Sequence, residues 1–214
     1  MPAARRRPAS ILLLVRHART PTTGAVLPGR APGLHLSDEG RKDADALAER
    51  IATVKGVAAV YSSPLERARE TALPVARACA RAVRIERGLI ECDFGEWTGA
   101  KLARLQQRPE WHVVQRYPSG FRFPGGESFP EMQTRIVSAI ARLVQDHRGA
   151  TVVAVSHADP IKAAVAHALG IHLDLFQRIA IAPASITAIA YRREGPTVLT
   201  VNSLAGNLGM LGST

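Results

Sequence analysis

The sequence has few of the residues that mark secreted or membrane proteins. Only two of its 214 residues are cysteines, Cys79 and Cys92, which is too few for a disulfide scaffold, so both are predicted to be free thiols. No apolar run approaches the roughly 18–20 residues of a membrane span. The basic opening and the apolar run at 11–15 resemble a signal peptide, but the run is too short and no small-residue cleavage site follows it. We therefore expect a cytoplasmic protein with no membrane partner.

Aromatic and acidic residues are also scarce. Aromatic residues make up 5% of the chain, and 18 acidic residues stand against 28 basic ones, which gives a formal charge of +10. Three of the excess cations, Arg5, Arg6 and Arg7, lie near the start, and the others are scattered and often lie beside acids. Proteins that bind nucleic acid usually concentrate their charge on one face and interleave it with aromatic residues. The composition therefore argues against nucleic acid as the main partner and favours attraction of a small anionic substrate.

The hydrophobic pattern predicts a single α/β domain over residues 10–203, with a mainly parallel central sheet and helices on both faces. Six short runs rich in Val, Ile and Ala are the predicted strands, at 11–15, 57–62, 83–86, 151–156, 185–191 and 197–201. Residues 94–127 lack clear strand character and are expected to form a helical or loop insertion over the active-site edge. Residues 1–9 are predicted to be a basic flexible tail, and residues 204–214 a flexible C-terminal tail.

Capping residues mark where several helices are expected to begin. Ser63 and Asp159 each directly precede a proline, so each is interpreted as the cap of a helix with proline at its first position. Ser128 and Glu131 have the spacing of a capping box.

Cationic side chains follow three of the predicted strands. Arg16 and His17 come directly after the first strand. Arg67 follows the second strand, in the first turn of a helix, and His157 follows the fourth. In open α/β sheets, ligands bind beyond the carboxyl ends of the strands, where helix N-termini also attract anions. Each feature alone is more often ordinary surface, but together they predict an anion site.

A fourth stretch, GLIECDFGEWTG at 88–99, holds three acids within six positions: Glu91, Asp93 and Glu96. On their own they are typical of a polar turn. Near a bound phosphate, however, a carboxylic acid can protonate a leaving group. The residues themselves leave open which of the three acids does so.

In these elements the chain resembles the histidine phosphatase superfamily, the phosphoglycerate-mutase-like group. The family's Arg-His-Gly signature corresponds to Arg16, His17 and Ala18. Further family elements follow in the same order: Ser63, Arg67, Thr71 and Ala72; Leu89, Glu91, Gly95, Trp97 and Gly99; Pro124 to Ser128; and Val155, Ser156 and His157.

The resemblance implies a role for five of these residues. His17 would attack phosphorus and carry the phosphoryl group as phosphohistidine. Arg16 and Arg67 would bind the phosphoryl oxygens, since a guanidinium matches phosphate geometry. His157 would donate to a phosphoryl oxygen, and Glu91 would protonate the leaving oxygen and later activate water. The cationic side chains make a metal ion or other cofactor unnecessary in this mechanism.

Three positions depart from the family's pattern. Ala18 and Ala158 replace the glycines that follow the two histidines, so their backbone N–H groups can still approach phosphate only if φ stays negative. Thr23 stands where many members have an asparagine that contacts the phosphate, and its hydroxyl offers one donor instead of two.

The spacing of the elements favours the hydrolase branch of the family. Glu91 and His157 are only 66 positions apart, whereas the resemblance implies a longer segment in mutases. We therefore expect a phosphatase that acts on a small phosphorylated metabolite. A phosphoglycerate-mutase-type transferase and a non-catalytic, phosphate-binding regulatory protein are the alternatives, and the sequence leaves the metabolite and the oligomeric state open.

Overall fold

The structure, a computed structural model, describes residues 8–206 and 208. The six strands in this part of the chain are β1 (Ser10–Arg16), β2 (Val57–Ser62), β3 (Val83–Ile85), β4 (Thr151–Ser156), β5 (Ile186–Arg192) and β6 (Gly195–Ser203). Each strand end lies within two residues of its predicted position.

All six strands form one sheet in the order β3-β2-β4-β1-β5-β6. The first four strands are parallel to one another, and β5 and β6 run antiparallel to their neighbours, which confirms a mainly parallel sheet. Strands β1 and β4 are adjacent, with Arg16 opposite Ser156. The next residue of each chain segment, His17 and His157, therefore leaves the sheet at the same level and on neighbouring strands.

Helices cover both faces of the sheet, as predicted. They are α1 (Asp38–Ala52), α2 (Glu66–Ala78), α3 (Leu102–Leu105), α4 (Pro109–Arg116), α5 (Phe129–Asp146) and α6 (Ala158–Leu169). Leu13 and Val15 of β1 pack with α1 and α2 on one face. Leu12 and Leu14 pack with α5 and α6 on the other. Because β1 is buried on both faces, its sequence is apolar at every inner position instead of alternating.

Two predicted helix starts are wrong. Helix α2 begins after Leu65, not after Ser63, because the Ser63 hydroxyl that would cap the helix bonds instead to His157 Nε2 at 2.7 Å. Helix α6 begins after His157, so Asp159 lies inside its first turn, where its carboxylate pairs with Lys162 at 3.2 Å. By contrast, the capping box of Ser128 and Glu131 at the start of α5 is confirmed, with both hydrogen bonds present.

Residues 94–127 form the predicted insertion, made of α3, α4 and the short 3-10 turns Gly95–Trp97 and Pro118–Gly120. Its aromatic residues pack edge to face, with Phe123 against Phe94 and Trp97 at ring distances of 4.9 and 5.4 Å. This packing joins the insertion to the core on the α5–α6 face of the sheet.

Residues 1–7 of the predicted N-terminal tail lie outside the described residues, as do 207 and 209–214 of the C-terminal tail. Arg50 donates to the carbonyls of Ser203 at 3.2 Å and Ala205 at 3.0 Å, and Leu208 is buried in the core. The flexibility of both tails stays a prediction. Within the described part of the chain, the longest helices are too short or too polar to cross a membrane.

Candidate active site

His17 lies at the centre of the site and presents one free nitrogen. Its Nδ1 lies 2.8 Å from the carbonyl oxygen of Ala18, which can only accept, so Nδ1 carries the ring proton. Its Nε2 accepts a hydrogen bond from Arg67 Nε at 3.3 Å, which requires a lone pair on that atom. Burial, together with the charges of Arg67 and Arg16, lowers the pKa of His17 to about 3. The imidazole is therefore neutral at neutral pH, with its Nε2 lone pair in the site.

Arg16 and Arg67 place two guanidinium groups beside this nitrogen. Arg67 is fully buried and donates through Nη2 to the carbonyl of Gly29 at 2.8 Å. Arg16 donates through Nη1 to the carbonyl of Ile181 at 2.6 Å. Arg16 Nε and Arg67 Nη1 are buried and have no hydrogen-bond partner among the described residues. Burial lowers the pKa of both groups, and the charge of Glu91 acts against this lowering. N–H donors without a partner on buried cations favour an anionic ligand.

His157 lies across from His17, with 5.1 Å between the ring centroids. Its Nε2 lies 2.7 Å from Ser63 Oγ, and its Nδ1 is buried without a partner in the part of the chain that the structure describes. When the Ser63 hydroxyl donates to Nε2, Nδ1 carries the proton and becomes a third unpartnered donor. Burial and the charge of Arg67 lower the pKa of His157 well below its ordinary value, so the ring is neutral.

Glu91 is the buried acid of the site. Only 7% of its surface is exposed, and its Oε1 accepts from the backbone N–H of Cys92 at 2.9 Å. Burial raises the pKa of Glu91 to about 7, and the negative charge of Asp159 adds to this rise. The charges of Arg67 and Arg16 act in the opposite direction. A carboxyl with this pKa is partly protonated at neutral pH and can both donate and accept a proton.

The other two acids of the same stretch lie in different surroundings. The Asp93 side chain is 40% exposed, accepts from the backbone N–H of Gly95 at 3.1 Å and faces Arg30 at 3.3 Å. Glu96 is exposed on the 3-10 turn. The structure therefore brings only Glu91 of the three acids into the buried group with the two arginines.

Two of the positions that depart from the family's pattern, Ala18 and Ala158, keep the negative φ that lets their backbone N–H groups approach a phosphate. Neither Ala18 nor Ala158 has a positive φ. The N–H of Ala18 is occupied, because it donates to Thr71 Oγ1 at 3.0 Å, whereas Ala158 opens helix α6, whose first N–H groups have no partner within the helix. Thr23 is exposed, and its hydroxyl accepts from the N–H of Thr20 at 2.8 Å. Contacts of Ala158 and Thr23 with phosphate stay predictions.

Three residues take part in the site in ways that the sequence did not indicate. Ser63 orients His157, and Thr71 links Ala18 to the carbonyl of Arg67, to which it donates at 2.7 Å. Both lie in the family motif that contains Arg67, so the motif could have pointed to them from the sequence. Asp159, interpreted as a helix cap, instead acts on the pKa of Glu91 through its charge.

Neither cysteine adds chemistry to the site. Cys79 and Cys92 are free, as predicted, and burial raises the pKa of the Cys92 thiol. Among residues 8–206 and 208, no three His, Cys, Asp or Glu side chains are grouped so that they could hold a metal ion. The metal-free mechanism stays a prediction that chelation can test.

Comparisons with known proteins agree with this geometry. The profile of the histidine phosphatase superfamily (branch 1) matches residues 12–204. A bifunctional protein of Mycobacterium tuberculosis is 35% identical over 200 residues, which are 92% of this chain and 54% of that protein. The chain thus spans about half the length of the first curated relatives that it matches.

Two further similarities cover both proteins almost completely. Phosphoserine phosphatase 1 of Hydrogenobacter thermophilus is 32% identical over 204 residues, 89% of this chain and 91% of that protein. The structure of a mycobacterial glucosyl-3-phosphoglycerate phosphatase superposes with a TM-score of 0.82 at 25% identity, covering 91% of this chain and 99% of the other. The resemblance seen in the sequence is confirmed, and the chain belongs to the histidine phosphatase superfamily, branch 1.

Proposed function

We propose that the protein is a phosphomonoester hydrolase that works through a phosphohistidine on His17. The observation that carries this proposal is a set of three buried nitrogens that have no hydrogen-bond partner among residues 8–206 and 208: Arg16 Nε, Arg67 Nη1 and His157 Nδ1. All three belong to side chains that surround the neutral His17. Such donors suit the three non-bridging oxygens of a phosphoryl group. Binding alone would require neither a neutral nucleophile nor the buried acid Glu91.

In the first step, the lone pair of His17 Nε2 attacks phosphorus. The P–N bond forms as the P–O bond to the leaving group breaks, and the leaving oxygen takes a proton from Glu91. Arg16, Arg67 and His157 stabilise the charge on the phosphoryl oxygens during the transfer. The product alcohol departs and leaves phosphohistidine and the carboxylate of Glu91.

In the second step, Glu91 accepts a proton from water as the water oxygen attacks phosphorus. The P–N bond breaks, its electron pair returns to His17 Nε2, and inorganic phosphate is released. A single carboxyl can serve both steps because its pKa of about 7 lies near neutral pH.

We further propose a small phosphorylated metabolite as the substrate and the cytoplasm as the location. Two relatives that cover most of this chain carry names of this substrate class, a phosphoserine phosphatase and a glucosyl-3-phosphoglycerate phosphatase. Both names describe hydrolysis, which supports the hydrolase over the mutase alternative.

The proposal is tested by phosphate release from p-nitrophenyl phosphate and from a panel of phosphorylated metabolites. We expect turnover by the wild type, acid-labile phosphate on the protein after a rapid quench, and no turnover by folded His17→Ala. Phosphate binding without release from any ester would support the regulatory alternative. Label on another residue, or near-full activity of His17→Ala, would disprove the role of His17.

A further inference from the structure

The segment that carries Glu91, residues 88–94 and here called the acid segment, has little regular structure of its own. Between the 3-10 turns Arg87–Leu89 and Gly95–Trp97 there is no helix or strand, so the backbone at Glu91 depends on other parts of the chain. Two arginines bind its carbonyl oxygens. Arg135, from α5, donates to the carbonyls of Gly88 at 2.9 Å and Ile90 at 2.8 Å. Arg30 Nε donates to the carbonyl of Glu91 itself at 2.8 Å, and Arg135 Nη2 reaches the same oxygen at 3.3 Å.

The carboxylate of Glu127 holds these two arginines together. Arg135 binds it through Nε at 2.8 Å and Nη2 at 2.9 Å, and Arg30 binds it through Nη2 at 2.9 Å. The backbone N–H of Asp93 donates to the same carboxylate at 3.2 Å. The Glu127 side chain is 15% exposed, and although burial raises its pKa, the hydrogen bond and charge of Arg135 and the charge of Arg30 hold that pKa below its ordinary value. Glu127 is therefore ionised at neutral pH.

Two glycines let the segment that contains Glu127 lie directly against the segment that contains Glu91. A Cβ atom on Gly126 would lie 2.4 Å from the carbonyl oxygen of Asp93. A Cβ atom on Gly95 would lie 2.0 Å from the carbonyl oxygen of Pro124, and Gly95 also has a φ of +49°. Only glycine allows this contact between backbones, which sets the distance between the Glu127 carboxylate and the acid segment.

We propose that Glu127 is a positioning residue that acts through Arg30 and Arg135 to place the carboxyl of Glu91 for proton transfer. The inference rests on the proposed function, because it assigns Glu127 to the same acid step. A positioned acid needs an oriented side chain, and a small displacement of a reacting group can reduce the rate by about 10²-fold. Loss of the Glu127 charge leaves both guanidinium groups without their shared carboxylate, so the carbonyls of the acid segment lose a fixed partner.

The test measures kcat/KM, which reports the steps up to phosphohistidine formation, with an alkyl phosphate and with p-nitrophenyl phosphate. For Glu127→Gln we expect a loss of up to about 10²-fold with the alkyl phosphate and little change with p-nitrophenyl phosphate. An alkoxide needs the proton from Glu91, whereas nitrophenolate leaves without it. In the double variant Glu91→Gln/Glu127→Gln, the alkyl phosphate should be cleaved no more slowly than by Glu91→Gln alone, because Glu127 acts only through Glu91.

Glu131→Gln is the matched control, since it removes an exposed acid four residues further on that pairs with Arg122 and not with the acid segment. Glutamine can also keep the capping box that Glu131 forms with Ser128. It should show equal small effects on both esters. If Glu127→Gln does not fold, Arg30→Lys replaces it, because lysine keeps the charge opposite Glu127 but lacks the Nε donor to the carbonyl of Glu91. The same leaving-group dependence, at smaller size, is then expected.

Two results would overturn the positioning role. One is an equal loss on both esters in folded Glu127→Gln or Arg30→Lys, and the other is a double variant whose losses multiply. Either result counts against Glu127 only if Glu91→Gln itself shows leaving-group dependence. If Glu91→Gln does not show it, the assigned acid is wrong, and the failure belongs to the proposed function.

Discussion

Single residues of the site differ sharply in what their surroundings do to their proton affinity. His17 is held neutral by burial and by two neighbouring cations, whereas Glu91 is kept partly protonated by burial and by the charge of Asp159. The same pocket thus lowers the pKa of a base and raises the pKa of an acid. Such a divergence separates a nucleophile from a proton donor.

The acid role of Glu91 predicts a dependence on the leaving group. Glu91→Gln should reduce kcat/KM for an alkyl phosphate by about 10²–10⁴-fold, the usual size of general acid catalysis, and reduce it far less for p-nitrophenyl phosphate. Glu96→Gln serves as the control, because Glu96 is exposed, and Asp93→Asn is measured beside it because Asp93 also pairs with Arg30. Leaving-group dependence in Asp93→Asn and not in Glu91→Gln would show that the proton donor is Asp93, two residues after Glu91.

The pKa of Glu91 predicts the pH profile with an alkyl phosphate. Only the protonated carboxyl donates, so kcat/KM should fall as the pH rises through about 7. His17, with a pKa of about 3, stays neutral throughout this range and adds no limb. Asp159→Asn removes a negative charge that raises the pKa of Glu91, so the alkaline limb should move to lower pH. A limb that stays in place, or that moves upward, would contradict this electrostatic assignment.

At the scale of elements, helix α5 connects stability to the acid segment, because Arg135 lies on it. Its capping box predicts that Ser128→Ala lowers the free energy of unfolding by about 1 kcal/mol, measured by urea denaturation. Among the described residues, the Ser128 hydroxyl has hydrogen bonds only to Glu131 of the same helix, so the ratio of activities on alkyl and aryl phosphates should not change. A changed ratio would show that the start of α5 also positions Glu91.

The elements also show how far sequence reasoning reaches. The strands were predictable because β1 and β4 are apolar on both faces, and their ends correctly placed Arg16, His17 and His157 together. The starts of α2 and α6 were predicted wrongly because a Ser-Pro or Asp-Pro pair does not show whether the serine or aspartate has a stronger partner elsewhere. The partnership of Arg30 with Glu127 spans 97 residues, and no local pattern indicates it.

At the scale of the whole molecule, the chain carries a formal charge of +10, and its site relies on fixed guanidinium groups for positive charge. EDTA is therefore expected to leave the phosphatase activity unchanged. Vanadate, which adopts the five-coordinate geometry of phosphoryl transfer, should inhibit at concentrations far below the substrate KM, because transition-state analogues bind much more tightly than substrates. Activity that is lost on chelation and restored by a divalent metal would refute the metal-free mechanism.

The register of β1 with β4 has a consequence for local unfolding. The backbone N–H of His17 donates to Ser156 O at 2.9 Å where the two central strands end, and His17 is buried, so its hydrogen exchange should require opening of the central sheet. The segment around Glu91 pairs with no strand, and arginine side chains bind several of its carbonyls, so its amides should exchange through smaller, local openings. The nucleophile and the proton donor then belong to cooperative units of different stability. Mild denaturant should therefore abolish cleavage of alkyl phosphates while phosphorylation of His17 by p-nitrophenyl phosphate persists.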